Sequence, residues 1–94
     1  MLENGLVAVV KRDCPTCELV APVLTELAVT GDLEVISQDD PTFPDGFKNI
    51  GDDRTLDRSY KMQIEIVPTV IRFEGGMEAD RTYGWDRGEW ERVS

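Results

Sequence analysis

Two cysteines, Cys14 and Cys17, are the residues of this sequence best suited to chemistry. Only Pro15 and Thr16 separate them, and a three-residue step brings both sulfurs onto one side of a helical turn. Such a pair can cycle between a dithiol and a disulfide. We therefore predict thiol–disulfide exchange, in which Cys14 attacks a substrate disulfide and Cys17 resolves the mixed disulfide.

Other uses of the cysteine pair stay open as alternatives. Two cysteines cannot form a disulfide framework, and a chain without histidine cannot complete a tetrahedral zinc site from Cys and His alone. Zinc held by the pair together with carboxylates or a second copy is one alternative. A pair of reduced core cysteines is another. We expect no metal and no bound cofactor, because the electrons of the exchange reside in the two sulfurs.

The cysteine pair falls between a predicted strand and a predicted helix. Residues 5–11 form an apolar run rich in β-branched residues, typical of a central strand buried on both faces. From Pro15 to Gly31 apolar residues recur at helical spacing, and the stripe consists of Leu19, Val20, Val23, Leu24, Leu27 and Ala28. Cys14 is thus expected at a helix N-terminus, where free N–H groups and the helix dipole favour the thiolate.

The segments that follow predict an α/β fold. Leu33–Ser37 has the pattern of a second strand, and the order strand, helix, strand implies a right-handed unit with parallel strands. Residues 39–52 are rich in proline and glycine and predict an irregular loop. Residues 53–62 predict a helix with Leu56 and Tyr60 on one face.

The C-terminal third predicts a hairpin and a short helix. Residues 69–74 and 78–83 are strand-like and flank Gly75-Gly76, which favours a tight turn. Asp86 followed by Glu89 is typical of a capping box, and Trp90 and Val93 fall on one face of the helix it begins. We expect one domain over residues 1–94, which could also be part of a longer protein.

The charge of the chain narrows the class of partner. A net charge of −9 disfavours nucleic acid and anionic membranes, since both would repel it. Six aspartates fall between residues 39 and 57, and we interpret them as a solvated loop face.

The sequence shows neither a signal peptide nor an apolar stretch long enough to span a membrane. If it begins at the natural start, a cytoplasmic protein is expected, and we predict a monomer.

The sequence resembles the thioredoxin family over nearly the whole chain, and the resemblance is clearest in two stretches. Cys14-Pro15-Thr16-Cys17, followed by Ala21-Pro22 and then Leu24, Glu26, Leu27 and Ala28, is similar to the active-site helix of thioredoxins. Pro22 matches the proline that bends this helix. Val67-Pro68-Thr69 resembles the cis-proline loop, which lies against the dithiol in that family. Gly84 resembles the glycine that leaves room for substrate beside this loop.

The resemblance implies a thioredoxin-like fold with a mixed four-stranded sheet flanked by helices. Only 13 residues precede Cys14, so we expect a minimal form without the N-terminal strand and helix of thioredoxins, as in glutaredoxins. The implied partners are protein disulfides or dithiols and an upstream reductase. Pro22 would be structural, and the substrate-binding residues would be Pro15, Thr16, Val67, Pro68, Gly84 and Trp85. For Trp85, ordinary packing under the terminal helix is an equal alternative.

Several residues depart from the thioredoxin pattern. Asp13 replaces the tryptophan before the first cysteine, and its charge should oppose a thiolate at Cys14. Ala8 and Ser37 stand near the positions of the family's buried aspartate and its lysine partner, so both members of that proton relay are missing. Deprotonation of Cys17 would then depend on water, Glu18 or the departing substrate thiolate.

These departures leave two questions about function open. Cys-Pro-x-Cys is also the glutaredoxin pattern, but acidic Asp13 and Glu18 flank the motif, so we favour a protein disulfide over glutathione as substrate. The direction of electron flow is not determined, because the residues between the cysteines tune the reduction potential. The alternative function is a noncatalytic interaction or redox-sensing module that holds a partner through residues 39–57.

Overall fold

The predicted central strand, β1 (Gly5–Val10), lies in the middle of a five-stranded sheet in the computed structural model, which describes residues 3–94. The other strands are β2 (Leu33–Ser37), β3 (Gly51–Asp52), β4 (Thr69–Glu74) and β5 (Met77–Tyr83). The spatial order is β3-β2-β1-β4-β5. β1 runs parallel to β2 and antiparallel to β4, and β4 and β5 form an antiparallel hairpin. The predicted α/β class, the parallel pair and the hairpin are confirmed.

The sheet has five strands where the sequence predicted four. The additional strand, β3, extends the parallel part of the sheet by pairing Gly51 with Ile36 and Asp52 with Ser37. Two residues are too few to show an alternating pattern, and these two follow a stretch rich in proline and glycine. Only the register against β2 identifies them as a strand.

The helix that follows the cysteine pair, α1, spans Pro15–Thr30. Its backbone ladder ends where the N–H of Gly31 donates to the carbonyl of Leu27, as the sequence predicted for this glycine. The predicted apolar stripe is wider than the buried face: Cys17, Val20 and Leu24 are buried, whereas Leu19 and Ala28 are exposed. The sheet covers only one side of the helix, so the outer positions of the stripe face solvent.

Apolar side chains fill both faces of the sheet. The larger cluster, which we call the α1-side core, joins one face of the sheet to α1 and to the terminal helix; its fully buried members include Ala8, Val10, Val20, Leu24, Val70 and Val93. The smaller cluster, the α2-side core, contains Val7, Val9, Ile36, Ile71 and Phe73, with Met62 and Ile64 packed against it. A strand buried on both faces explains the unbroken apolar run of β1.

The second helix, α2, covers only Asp57–Lys61, so the prediction of a helix over residues 53–62 was wrong in extent. Leu56 has a φ of +63° and stands before the helix, and both it and Tyr60 are largely exposed. The N-terminus of the helix is held by Asp53, which precedes it. The buried carboxylate of Asp53 accepts hydrogen bonds from the backbone N–H groups of Arg58 and Ser59. Asp53 is thus a structural group within the stretch that the sequence analysis took for a solvated face.

The terminal helix, α3 (Arg87–Val93), has the N-cap that was predicted from Asp86 and Glu89. The side chain of Asp86 accepts from the N–H of Glu89 at 3.0 Å. Trp90 and Val93 are buried together in the α1-side core. None of the helices within residues 3–94 has the length and apolar character that crossing a membrane requires.

Candidate functional site: a dithiol beside a cis-proline loop

Cys14 is the N-cap residue of α1, so its side chain stands where helix backbone donors have no intrahelical partner. Its backbone is extended, with φ of −158° and ψ of 107°, and its Sγ accepts from the N–H of Cys17 at 3.2 Å. Pro15 takes the first helical position, where a missing N–H is harmless. The Cys14 side chain is partly exposed, so the sulfur stabilised by this helix terminus can be reached by a reactant.

Cys17 differs from Cys14 in burial and therefore in chemistry. It is fully buried in the α1-side core. Burial first, and then the contact with Cys14, raises the pKa of the Cys17 thiol to about 12. Cys17 is therefore protonated at neutral pH, and the two sulfurs are chemically unequal.

The loop that precedes β4 brings a third group to the dithiol. The Val67–Pro68 peptide bond is cis, as the resemblance implied. The Cys14 thiol donates a long hydrogen bond to the carbonyl oxygen of Val67, with 3.8 Å between Sγ and oxygen. Pro68 is buried and Val67 half-buried. The predicted contact between this loop and the cysteine pair is confirmed.

Gly84 lies on the far side of the same loop, at the end of β5. Its N–H donates to the carbonyl of Pro68 at 2.8 Å, and its φ is +74°. A Cβ built at this position would have no neighbour within 4 Å, so the backbone here borders open space. Trp90 supports this segment, because its Nε1–H donates a hydrogen bond to the Gly84 carbonyl at 2.9 Å. Room for a substrate beside the loop at Gly84 stays a prediction.

Trp85 packs against the terminal helix while keeping part of its surface exposed. Its ring meets that of Trp90 edge to face, with 5.2 Å between centroids and 73° between planes. The guanidinium of Arg87 lies 5.7 Å from the Trp85 ring centroid. The packing alternative accounts for these contacts, and the exposed part of the ring stays a predicted substrate contact.

The remaining predicted site residues lie along the start of α1. Pro15 is exposed and Thr16 half-buried in the first turn, beside the two sulfurs. Pro22 lies inside α1, where its missing N–H interrupts the backbone ladder. Its structural role stays a prediction.

The turn that leads into Cys14 is held by residues whose role the sequence analysis missed. The backbone N–H groups of Arg12 and Asp13 donate to the two carboxylate oxygens of Asp39, at 2.7 and 3.0 Å. The guanidinium of Arg12 pairs with Asp40 and Asp45. Three of the presumed solvated aspartates thus fasten the loop after β2 to the turn that leads into Cys14. The only hint in the sequence was that the first two of these aspartates closely follow a strand parallel to β1.

Small side chains occupy the two positions that resemble those of the buried aspartate and the lysine in the thioredoxin proton relay. Ala8 and Ser37 are both fully buried, and Ala8 belongs to the α1-side core. Glu18 is exposed on α1. Within residues 3–94, no three His, Cys, Asp or Glu side chains are grouped so as to hold a metal ion.

Comparison with solved structures agrees with this arrangement. Thioredoxin O2 from Arabidopsis thaliana superposes with a TM-score of 0.70 and 21% identity, over 95% of this chain and 70% of that one. Thioredoxin f2 from Chlamydomonas reinhardtii gives a TM-score of 0.70 at 14% identity, covering 97% of this chain and 75% of the other. Thioredoxin from Schistosoma mansoni gives 0.67 at 22% identity, with coverages of 96% and 74%. The chain has the thioredoxin fold.

Within the thioredoxin fold, the described part of this chain begins its first strand at Gly5, nine residues before Cys14. The chain covers 70% to 75% of the length of these neighbours. No protein-family model matches the sequence, and no curated relative was found. The likeness therefore establishes the fold, and the chemistry must be argued from the site.

Proposed function

We propose that this protein is a thiol–disulfide oxidoreductase that exchanges disulfides with protein substrates through Cys14 and Cys17. The observation that carries the proposal is the inequality of the two sulfurs. Cys14 is accessible at a helix N-terminus and accepts the N–H of Cys17, whereas Cys17 is buried with its pKa raised to about 12. A nucleophile at the surface and a protonated resolving thiol behind it are what a two-step exchange needs.

In the reducing direction, the Cys14 thiolate attacks one sulfur of a substrate disulfide. The substrate S–S bond breaks, a Cys14–substrate disulfide forms, and the first substrate sulfur leaves as a thiolate. Cys17 then loses its proton and attacks Cys14 Sγ. This step releases the second substrate thiolate and leaves the protein as a disulfide, two electrons poorer. One substrate thiolate takes the proton that Cys17 loses, and the other takes a proton from water in place of the one that Cys14 gave up on ionising. The oxidising direction is the same sequence in reverse.

The raised pKa of Cys17 identifies the proton acceptor that suits the second step. Glu18 is exposed on α1, and carboxylates as a class are weak bases toward thiols. A thiolate that leaves the substrate is far more basic than a carboxylate. We therefore expect the departing substrate thiolate, directly or through water, to take the proton of Cys17.

The loop around Pro68 supports a polypeptide as the substrate. The Val67 carbonyl lies against the Cys14 sulfur, and Gly84 leaves open space on the other side of the loop. We assign substrate contacts to Pro15, Thr16, Val67, Pro68, Gly84 and Trp85. A dithiol reductase would restore the reduced protein, and no cofactor takes part. A monomer located in the cytoplasm stays a prediction from the sequence.

Reduction of insulin with dithiothreitol as electron donor tests the proposed function. We expect wild-type protein to accelerate precipitation of the insulin chains. Cys14→Ser should abolish the effect, because no accessible nucleophile is left. Cys17→Ser should retain attack but lack the resolving thiol, so reduced variant mixed with insulin in the absence of dithiothreitol should accumulate a mixed disulfide that later addition of dithiothreitol releases.

The matched control is Thr25→Ser at an exposed position farther along α1, which leaves the motif and both sulfurs unchanged and should retain most of the activity. If wild-type protein, with dithiothreitol supplied, accelerates insulin reduction no more than Cys14→Ser does, the proposed function is wrong. The alternative of a noncatalytic module that binds a partner through residues 39–57 would then be favoured.

A further inference from the structure

The clearest unexplained feature of the site is the carboxylate of Asp39, which comes two residues after the end of β2. One oxygen accepts from the N–H of Arg12 at 2.7 Å, and the other accepts from the N–H of Asp13 at 3.0 Å. The hydroxyl of buried Ser37 donates to the first oxygen at 3.4 Å. One side chain therefore satisfies two consecutive backbone donors of the turn that ends at Cys14.

This carboxylate also acts on the buried member of the cysteine pair. The charge of Asp39 is one of the influences that raise the pKa of Cys17, after burial and the effects of Cys14. The backbone N–H of Lys11, the residue directly after β1, has the opposite effect on the pKa of Cys17. Cys14 and Asp39 are thus the two titratable groups, from α1 and from the loop after β2, whose charges bear on Cys17.

Asp39 is itself kept ionised by its partners. Burial alone would raise the pKa of Asp39, but the hydrogen bonds from Asp13, Arg12 and Ser37 outweigh it and lower the pKa. The neighbouring charge of Asp40 has the smaller, opposite effect. Over the pH range in which thiols exchange, Asp39 therefore carries a full negative charge next to the dithiol.

We infer that Asp39 is a positioning residue of the dithiol: its hydrogen bonds to two consecutive backbone N–H groups fix the turn that presents Cys14 and bring a negative charge to this turn. It does so from the loop after β2, with a carboxylate that also satisfies backbone donors. The inference rests on the proposed function for its biological meaning. Its physical content concerns the reduced protein alone and does not require turnover.

The Asp39→Asn substitution tests both roles of this side chain, the hydrogen bonds to the turn and the negative charge, by measurements on folded protein. The amide can accept one of the two N–H groups but presents an NH2 group to the other, and it carries no charge. We expect the amides of Arg12 and Asp13 to exchange hydrogen at least about threefold faster than in the wild type. In a Cys14→Ser background, the fraction of Cys17 present as thiolate should rise about three- to tenfold. The 13Cβ chemical shift of Cys17, recorded up to about pH 10.5, measures this fraction.

Asp45→Asn is the matched control, because it removes one negative charge from the same loop without removing an acceptor for the backbone N–H groups of the turn. The Asp45 side chain is 87% exposed and pairs with the guanidinium of Arg12. It should leave the titration of Cys17 and the exchange of both amides within about 1.5-fold of the wild type. A looser turn without an electrostatic role would speed amide exchange in Asp39→Asn and leave the Cys17 titration unchanged, which would overturn the inference.

Asp39→Glu keeps the experiment decisive if Asp39→Asn does not fold. It retains the charge but adds a methylene, so we expect faster exchange at Arg12 and Asp13 with a Cys17 titration within about twofold of the wild type. Unchanged amide exchange in this variant would overturn the inference. Because both readouts are taken on reduced protein, they can succeed or fail independently of the insulin assay that tests the proposed function.

Discussion

The two sides of the sheet are stabilised in different ways, and the contrast explains which side can support a reactive site. On the α1 side, a helix of 16 residues buries Cys17, Val20 and Leu24 in the larger cluster. On the other side, α2 has five residues, and only Ser59 among them is buried. Apolar burial fixes the first helix, whereas the hydrogen bonds of Asp53 fix the second.

This difference explains why the dithiol lies at the start of α1. A nucleophile must be held in place relative to the Val67 loop, and a long helix anchored by buried side chains from Cys17 to Leu24 provides that rigidity. A short helix held by a few polar contacts opens more easily. The following substitutions test whether the two sides differ in the way the structure indicates.

The largest expected effect comes from Leu24→Ala in the α1-side core. Leu24 is fully buried, so the substitution removes apolar contacts and leaves a cavity. We expect a loss of about 2–5 kcal/mol in the free energy of unfolding, measured by urea denaturation. Leu19→Ala, at a position that is 62% exposed on the same helix, is the control and should change stability by less than about 0.5 kcal/mol. Equal losses at both positions would contradict the described packing of α1.

On the α2 side, Asp53→Ala removes the acceptor for the backbone N–H groups of Arg58 and Ser59 and for the Ser59 hydroxyl. We expect a loss of about 1–3 kcal/mol, concentrated in faster hydrogen exchange of α2. Asp57→Ala, at an exposed carboxylate within that helix, should cost much less. If Asp53→Ala instead slowed the reaction of Cys14 with iodoacetamide, the two sides would not be independent.

A smaller effect is expected where the terminal helix supports the Pro68 loop. Trp90→Phe keeps an aromatic ring in the core but removes the Nε1–H that donates to the Gly84 carbonyl. We expect a loss of about 1–2 kcal/mol in unfolding free energy and weaker insulin turnover. Trp85→Phe, which breaks no hydrogen bond shown by the structure, should be nearly neutral in stability. An unchanged stability of Trp90→Phe would show that this bond does not support the loop.

The two cysteines should differ in their response to pH. The pKa of Cys17 is raised, so its thiolate is scarce until the pH approaches about 12. In reduced protein at neutral pH, iodoacetamide should therefore modify Cys14 and leave Cys17 unmodified. Mass mapping after limited alkylation checks this expectation. Comparable modification of both residues in folded protein would show that Cys17 is neither buried nor held as a thiol.

The smallest effect is expected at the loop after β2. Hydrogen bonds from Thr42 and Arg12 lower the pKa of Asp40 to about 2. A lowered pKa stabilises the folded state above the unfolded value near 3.8 and loses that contribution as the pH falls through about 2. The difference in melting temperature between wild type and Asp40→Asn should thus be present at pH 6 and vanish near pH 2. A difference that persists in strong acid would contradict it.

Elements with a local pattern could be predicted from the sequence, and elements formed by distant contacts could not. β1, α1, β2 and the β4–β5 hairpin follow from apolar periodicity and glycine positions, which depend on near neighbours. The two-residue β3 has no such pattern, and α2 was overestimated because Leu56 and Tyr60 fit a helical spacing while facing solvent. The burial of Asp53 likewise contradicts its composition-based interpretation.

The sequence by itself determined that a Cys-Pro-Thr-Cys motif lies between a buried strand and a helix, because both elements are encoded by residues next to the motif. The place of the Pro68 loop was inferred from resemblance. Tertiary structure decided which atoms meet: the Val67 carbonyl reaches Cys14 across 53 positions of the chain, and Asp39 reaches Arg12 and Asp13 across 27 and 26. Such meetings depend on the register of β1 against β2 and β4, which no local pattern encodes.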